Sequence, residues 1–143
     1  MSHALAGRRV VVVDDDPAVV AAMRDLFDSW RAAAVGGADA RSTLAALAAS
    51  DGGDPDGVDL IIADLRLADG ASGIDAIASL RDALGADTPA LIVFGDTSGA
   101  AEAEVRAAGI QPLLKPVVAS TLKDAADSVL REGGHASRGL GKH

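Results

Sequence analysis

Val10-Val11-Val12-Val13-Asp14-Asp15-Asp16-Pro17 is a run of four β-branched residues that stops at three carboxylates and a proline. Valines without polar alternation read as a strand buried on both faces, the condition of a parallel sheet with helices on either side. Pro17 suits the first turn of a helix and Asp16 its N-cap. Three further runs end in the same manner: Leu60-Ile61-Ile62-Ala63 at Asp64, Ala90-Leu91-Ile92-Val93-Phe94 at Gly95-Asp96, and Leu113-Leu114 at Lys115-Pro116. In a parallel α/β sheet such stops gather along one edge, where ligands bind. One site there holds carboxylates and an ammonium group.

Between these runs the periodicity is helical. Val20, Met23, Phe27 and Trp30 recur at intervals of three and four after Pro17. A weak strand over Ala33–Val35 ends at Gly36-Gly37 and is followed by a helix over Ala40–Ser50 with Leu44 and Leu47 inward. Asp51–Gly57 reads as a turn-rich loop. Ser72 caps a helix carrying Ile74, Ile77, Leu80 and Leu84. A short helix over Gly99–Ala108 ends at Gly109, strand five covers Gln111–Leu114, and a last helix covers Thr121–Arg131. Strand-plus-helix units in succession, all joined in parallel, predict a (βα)5 doubly wound five-stranded parallel sheet with helices on both faces. Residues 1–7 read as an N-terminal tail, 8–131 as the domain, and the Gly-rich, polar 132–143 as a flexible C-terminal tail.

Composition narrows the function. At 143 residues and 49% hydrophobic content there is material for one domain with a core. With no cysteine, disulfides, thiolate metal sites and thiol nucleophiles are excluded. A formal charge of −8 argues against direct nucleic-acid binding, and 2% aromatic residues against a base-stacking platform. No apolar run approaches the roughly 18 residues of a membrane span. A cytoplasmic location, away from the membrane, is the expectation.

Asp14, Asp15 and Asp64 share the strand-end edge, and two such charges about 4 Å apart repel by roughly 4 kcal/mol at an effective dielectric of 20. A hard cation with oxygen ligands offsets that repulsion, and Mg²⁺ takes one or two carboxylates while reaching toward a phosphate. Lys115 adds a point charge suited to a phosphoryl oxygen. Together these make a site for phosphoryl transfer onto an aspartate. Taken singly, Asp14–Asp16 is equally a solvated turn and helix cap, and Lys115-Pro116 a turn; the joint placement carries the signal.

With these residues in hand, the chain resembles the receiver domains of two-component response regulators. The resemblance rests on Asp14-Asp15 after strand one, Asp64 after strand three, Gly70 and Gly73 in the next loop, and Lys115-Pro116 after strand five. It implies the flavodoxin-like receiver fold, with Asp64 as the phosphoacceptor charged by a histidine kinase or histidine phosphotransfer protein. It further implies Mg²⁺ held by Asp15 and Asp64 directly, by Asp14 through water and by the backbone carbonyl of Arg66, with Lys115 pairing to the phosphoryl group and a cis peptide before Pro116. The stretches Asp64–Gly73 and Gly95–Ser98 are most similar to the C-terminal receivers of hybrid sensor histidine kinases. On this likeness the domain is a phosphoacceptor rather than a self-contained enzyme, whether it stands alone or forms part of a larger kinase.

The chain departs from the family pattern at two switch positions. Phe94 stands where receivers usually carry a Ser or Thr hydroxyl, and Pro112 where they carry an aromatic. Thr97 and Ser98 lie three and four positions on. A phosphorylation-independent pseudo-receiver is therefore one alternative. Another is a phosphohydrolase of the haloacid dehalogenase type using Asp14 and Asp16, although Ala18 and the lack of an acidic strand end after Lys115 depart from its pattern. Arg66 and Asp96, oppositely charged, are expected to flank the acceptor at the rim. The resemblance also implies a homodimer surface on the fourth helix, fifth strand and fifth helix, including Glu102, Arg106, Gln111, Lys123 and Asp127.

Overall fold

The computed structural model describes residues 5–50, 58–95 and 97–141, with side chains through Leu130. The expected loop Asp51–Gly57 and the rim residue Asp96 lie outside the described residues. In chain order the elements are β1 (Arg9–Val13), α1 (Pro17–Ser29), β2 (Ala33–Gly37), α2 (Ala40–Ala49), β3 (Leu60–Asp64), α3 (Gly73–Leu84), β4 (Ala90–Phe94), α4 (Ala100–Ala107), β5 (Gln111–Leu114) and α5 (Ala119–Gly141), with a 3₁₀ turn at Ala68–Gly70. The five strands form one parallel sheet in the order β2-β1-β3-β4-β5.

The uniformly apolar runs are explained by two cores, one per face of the sheet. Alternate strand residues point to opposite faces. Val11, Val13, Ile61, Ala63, Ile92 and Phe94 join one core with Leu47 of α2, Ile77 and Leu80 of α3, and Val105 of α4. Val10, Val12, Leu60, Ile62, Leu91 and Val93 join the other with Met23 and Phe27 of α1 and Leu122, Ala126 and Val129 of α5. Burying a Val, Leu or Ile side chain contributes about 1.5–3 kcal/mol, which makes these central strands the anchor of everything above them.

The helix starts follow local chemistry. Asp16 Oδ1 accepts the Ala18 N–H at 2.9 Å, and Pro17 opens α1. Asp39 and Ser42 form a reciprocal cap on α2. Gly99 is the cap of α4 rather than its first residue, because its φ of +92° is left-handed and incompatible with a helical turn. At α5 the Leu122 N–H reaches the Val118 carbonyl at 3.0 Å, so the helix begins at Ala119, ahead of Thr121. Its helical backbone also continues past Arg131 to Gly141, across part of the segment read as a tail. Gly133 and Gly134 lower helix propensity by about 1 kcal/mol each but, unlike proline, keep the backbone donor. At the other end Leu5, read as part of a tail, is 2% exposed in the core shared by α1 and α5. Asp127, expected on the homodimer surface, is only 5% exposed, because it lies on the α5 turn between the inward-facing Leu122, Ala126 and Leu130.

Candidate phosphoryl-transfer site

The chain moves from β1 outward to β2 and then returns to the other side of β1 for β3, so the strand order reverses between β1 and β3. At such a reversal the loops leaving two adjacent strands part and leave a crevice. Asp14 and Asp15 leave β1 there, and Asp64 ends β3. One oxygen from each of the three carboxylates lies within 4.8 Å of the others.

Backbone hydrogen bonds fix these positions. The Asp14 N–H donates to the Gly37 carbonyl at 3.0 Å, prolonging the β1–β2 ladder by one residue. Asp14 Oδ1 accepts the Asp16 N–H at 2.9 Å, which turns the chain and orients the carboxylate. The Leu65 N–H donates to the Val93 carbonyl at 2.9 Å and the Lys115 N–H to the Phe94 carbonyl at 2.7 Å, so the ladders hold Asp64 and Lys115 in register. Gly73 is required beside the acceptor: a Cβ there would collide with the Asp64 carbonyl oxygen. Its own N–H donates to the Leu65 carbonyl at 2.8 Å and pins the start of α3 against the end of β3.

Lys115 closes the site. Its Nζ donates to Asp64 Oδ2 at 3.0 Å, while Asp64 Oδ1 accepts the Arg66 N–H at 3.3 Å. The peptide between Lys115 and Pro116 is cis. Asp14 is buried and Asp15 exposed. Burial, and then the neighbouring Asp64 and Asp15 carboxylates, hold the Asp14 carboxyl above its ordinary range, against the opposing pull of the Asp16 N–H bond and Lys115. An all-oxygen, anionic donor set whose members repel one another fits a hard divalent cation such as Mg²⁺.

The remaining expected residues sort by geometry. Phe94 is 5% exposed and its ring belongs to the core under α4 with Ala101 and Val105, on the opposite face of β4 from Val93. Pro112 is buried in β5 opposite Ile92. Arg66 is exposed just beyond the acceptor, and its backbone bridges to Ser72. Asp16 is exposed and engaged in capping α1, and Lys115 is paired with Asp64 rather than with Asp14 or Asp16, which is not the arrangement a hydrolase using Asp14 and Asp16 requires. On the face expected to form a homodimer, Glu102 and Arg106 pair at 3.0 Å, and Lys123 sits 3.9 Å from Asp127.

One feature escaped the sequence reading. A cavity of about 660 Å³ runs from Asp14, Asp64 and Lys115 between α1 and α5, lined by Ala18, Val19, Ala22, Met23 and Leu26 on one side and Val117 and Leu122 on the other. The signal for it was the pair of small residues Ala18 and Ala22, four apart on α1, which leave space where larger side chains would fill.

No curated protein matches the chain by sequence. Among solved structures it resembles the chemotaxis protein CheY4 of Vibrio cholerae, at 24% identity and a TM-score of 0.71 over 87% of this chain and 99% of that one. It also resembles a response regulator receiver protein of Burkholderia phymatum, at 27% identity and 0.68 over 86% and 94%. A receiver domain protein of Clostridium thermocellum aligns at 16% identity and 0.74 over 90% and 98%, a likeness of fold. The family model of the response regulator receiver domain matches residues 10–127, most of the chain and all of the site just described. The chain belongs to the response regulator receiver domain family.

Proposed function

We propose that the chain is a phosphoacceptor in a two-component phosphorelay, taking a phosphoryl group from a histidine kinase or histidine phosphotransfer protein onto Asp64. The observation that carries this reading is the 3.0 Å contact of Lys115 Nζ with Asp64 Oδ2 beside two further carboxylates. An Asp64 oxygen attacks phosphorus as the phosphorus–nitrogen bond of the donor histidine breaks, giving an acyl phosphate. Lys115 then moves from the carboxylate to a phosphoryl oxygen, a shift its exposed, flexible stem permits. Asp15 and Asp64, with the Arg66 carbonyl and with Asp14 through water, would hold a Mg²⁺ ion, which would supply charge neutralisation to the transferring group. Asp14–Asp16 at the start of α1 and the apolar cavity beside it give a partner both a charged target and an apolar seat. No helix among the described residues is long and apolar enough to cross a membrane, which is compatible with a cytoplasmic relay.

The response to phosphorylation differs from the usual one. Phe94 has no hydroxyl to offer the phosphoryl group and its ring is committed to the core under α4. Pro112 supplies no aromatic ring. Phosphate acceptance without the hydroxyl-and-aromatic switch is therefore the function that fits best. A phosphorylation-independent interaction module is the second reading, favoured by the same two residues. Acetyl phosphate with Mg²⁺ separates them: intact mass should rise by one phosphoryl group that hydroxylamine removes, chelation should prevent it, and Lys115→Ala should slow it. An unmodified mass under saturating donor would support the second reading.

A further inference from the structure

At the edge of the sheet opposite the acidic site, where β4 starts at Ala90 and β5 at Gln111, lies a cleft of about 340 Å³. Its polar lining is Arg81, Asp87, Arg106 and Gln111. Arg81 is half-buried at the end of α3, and its Nε donates to the Thr88 carbonyl at 3.0 Å. Arg106 on α4 is exposed, and its Nε donates to Glu102 Oε2 one turn earlier at 3.0 Å. Among the described residues no other hydrogen bond engages either guanidinium. Each guanidinium thus donates through Nε, and its terminal nitrogens have no protein acceptor among the described residues.

A guanidinium drawn partly out of water with unfilled donors is costly unless an acceptor arrives. Burial pulls the Arg81 pKa down, with Asp87 opposing, so the surroundings penalise the bare cation. Two guanidinium forks lining one cleft suit the planar geometry of an oxyanion, and the Gln111 amide adds a donor to the lining. Among the described residues Asp87 is the one carboxylate in the lining, and Glu102 pairs with Arg106 beside it.

We propose that this cleft binds a small oxyanion, a phosphate or a carboxylate group, between the Arg81 and Arg106 guanidinium groups. The site is separate from the phosphoacceptor, which lies at the carboxyl ends of the same strands. Occupancy would tie the end of α3 to the end of α4 across the start of β4.

Calorimetric or NMR titration of the full chain, in Mg²⁺-free chloride buffer, tests this with orthophosphate and malonate as probes. Saturable one-to-one binding of at least one probe is expected, and the preferred probe distinguishes a phosphate from a carboxylate ligand. Arg106→Gln should weaken binding roughly tenfold or more, as should Arg81→Gln, and Asp87→Asn should tighten it. Arg106 is exposed, so its substitution reports on the site even if Arg81→Gln destabilises the fold. Asp64→Asn should leave binding unchanged. Absence of saturable binding by either probe, full-strength binding in Arg106→Gln, or loss of binding in Asp64→Asn would overturn the proposal.

Discussion

Phe94→Ala removes a ring that is 5% exposed and sits in the core with Ile92, Ala101 and Val105. The transfer of such a side chain out of water is worth about 1.5–3 kcal/mol. A central strand and α4 cannot collapse fully onto the vacated space, so the cavity adds to that loss and the expected cost is about 3–5 kcal/mol. Against a typical domain stability of about 5–15 kcal/mol this is a large fraction, yet the protein should still fold at low temperature. Phe94→Leu keeps most of the contacts and should cost about 1–2 kcal/mol. Because Phe94 faces α4 while Asp64 and Val93 border the cavity between α1 and α5, neither change should reach the acceptor. Urea denaturation of the two variants, with the rate of Asp64 labelling by acetyl phosphate in Phe94→Leu, checks both halves of the reasoning. A loss below about 1 kcal/mol in Phe94→Ala would show that the ring is not a core element. A collapse of labelling in the well-folded Phe94→Leu would show that the ring takes part in the chemistry.

Three further outcomes are expected. Asp15→Asn should weaken Mg²⁺ binding more than Asp14→Asn, measured by titration, since of these two only Asp15 is assigned a direct ligand role; equal losses would place the pair in the wrong register. Asp39 is held below the ordinary carboxylate range by the Ser42 N–H and hydroxyl, so its cap stabilises the native state fully above the unfolded-state pKa and is lost as pH falls through the depressed folded value. Asp39→Asn should accordingly be less stable than the parent at neutral pH and converge with it in acid, as thermal melts across pH would show. Arg66→Ala should shorten the phosphoryl lifetime several-fold with Mg²⁺ affinity nearly unchanged, because only the main-chain carbonyl of Arg66 is assigned to the metal; an unaltered lifetime would remove Arg66 and its expected partner Asp96 from control of hydrolysis.

How much of this was legible in the sequence depends on the range of the forces involved. The strands were readable because Val10–Val13, Leu60–Ala63 and Ala90–Phe94 are buried on both faces, and continuous burial leaves a continuous apolar run. The acceptor edge was readable because parallel strands deliver the residues after them to one side, whichever helices intervene. Cap positions such as Asp16 and Ser72 are set by contacts two or three residues away, so they too were visible. The burial of Leu5 and Asp127, the extension of α5, the cavity beside Ala18 and Ala22, and the meeting of Arg81 with Arg106 were not. Each depends on how elements far apart in sequence pack together, and no local pattern encodes that. Phe94 stands between the two cases: its identity marks a departure, but only the packing against α4 says what the ring does.

The central claim is that Asp64, and no other carboxylate of the cluster, accepts the phosphoryl group. It is tested most directly by borohydride trapping of the protein after incubation with Mg²⁺ and acetyl phosphate, followed by peptide mass mapping. The account predicts a reduced residue at position 64 in the parent and none anywhere in Asp64→Asn. Trapping at Asp14 or Asp16, or labelling that persists in Asp64→Asn, would contradict it.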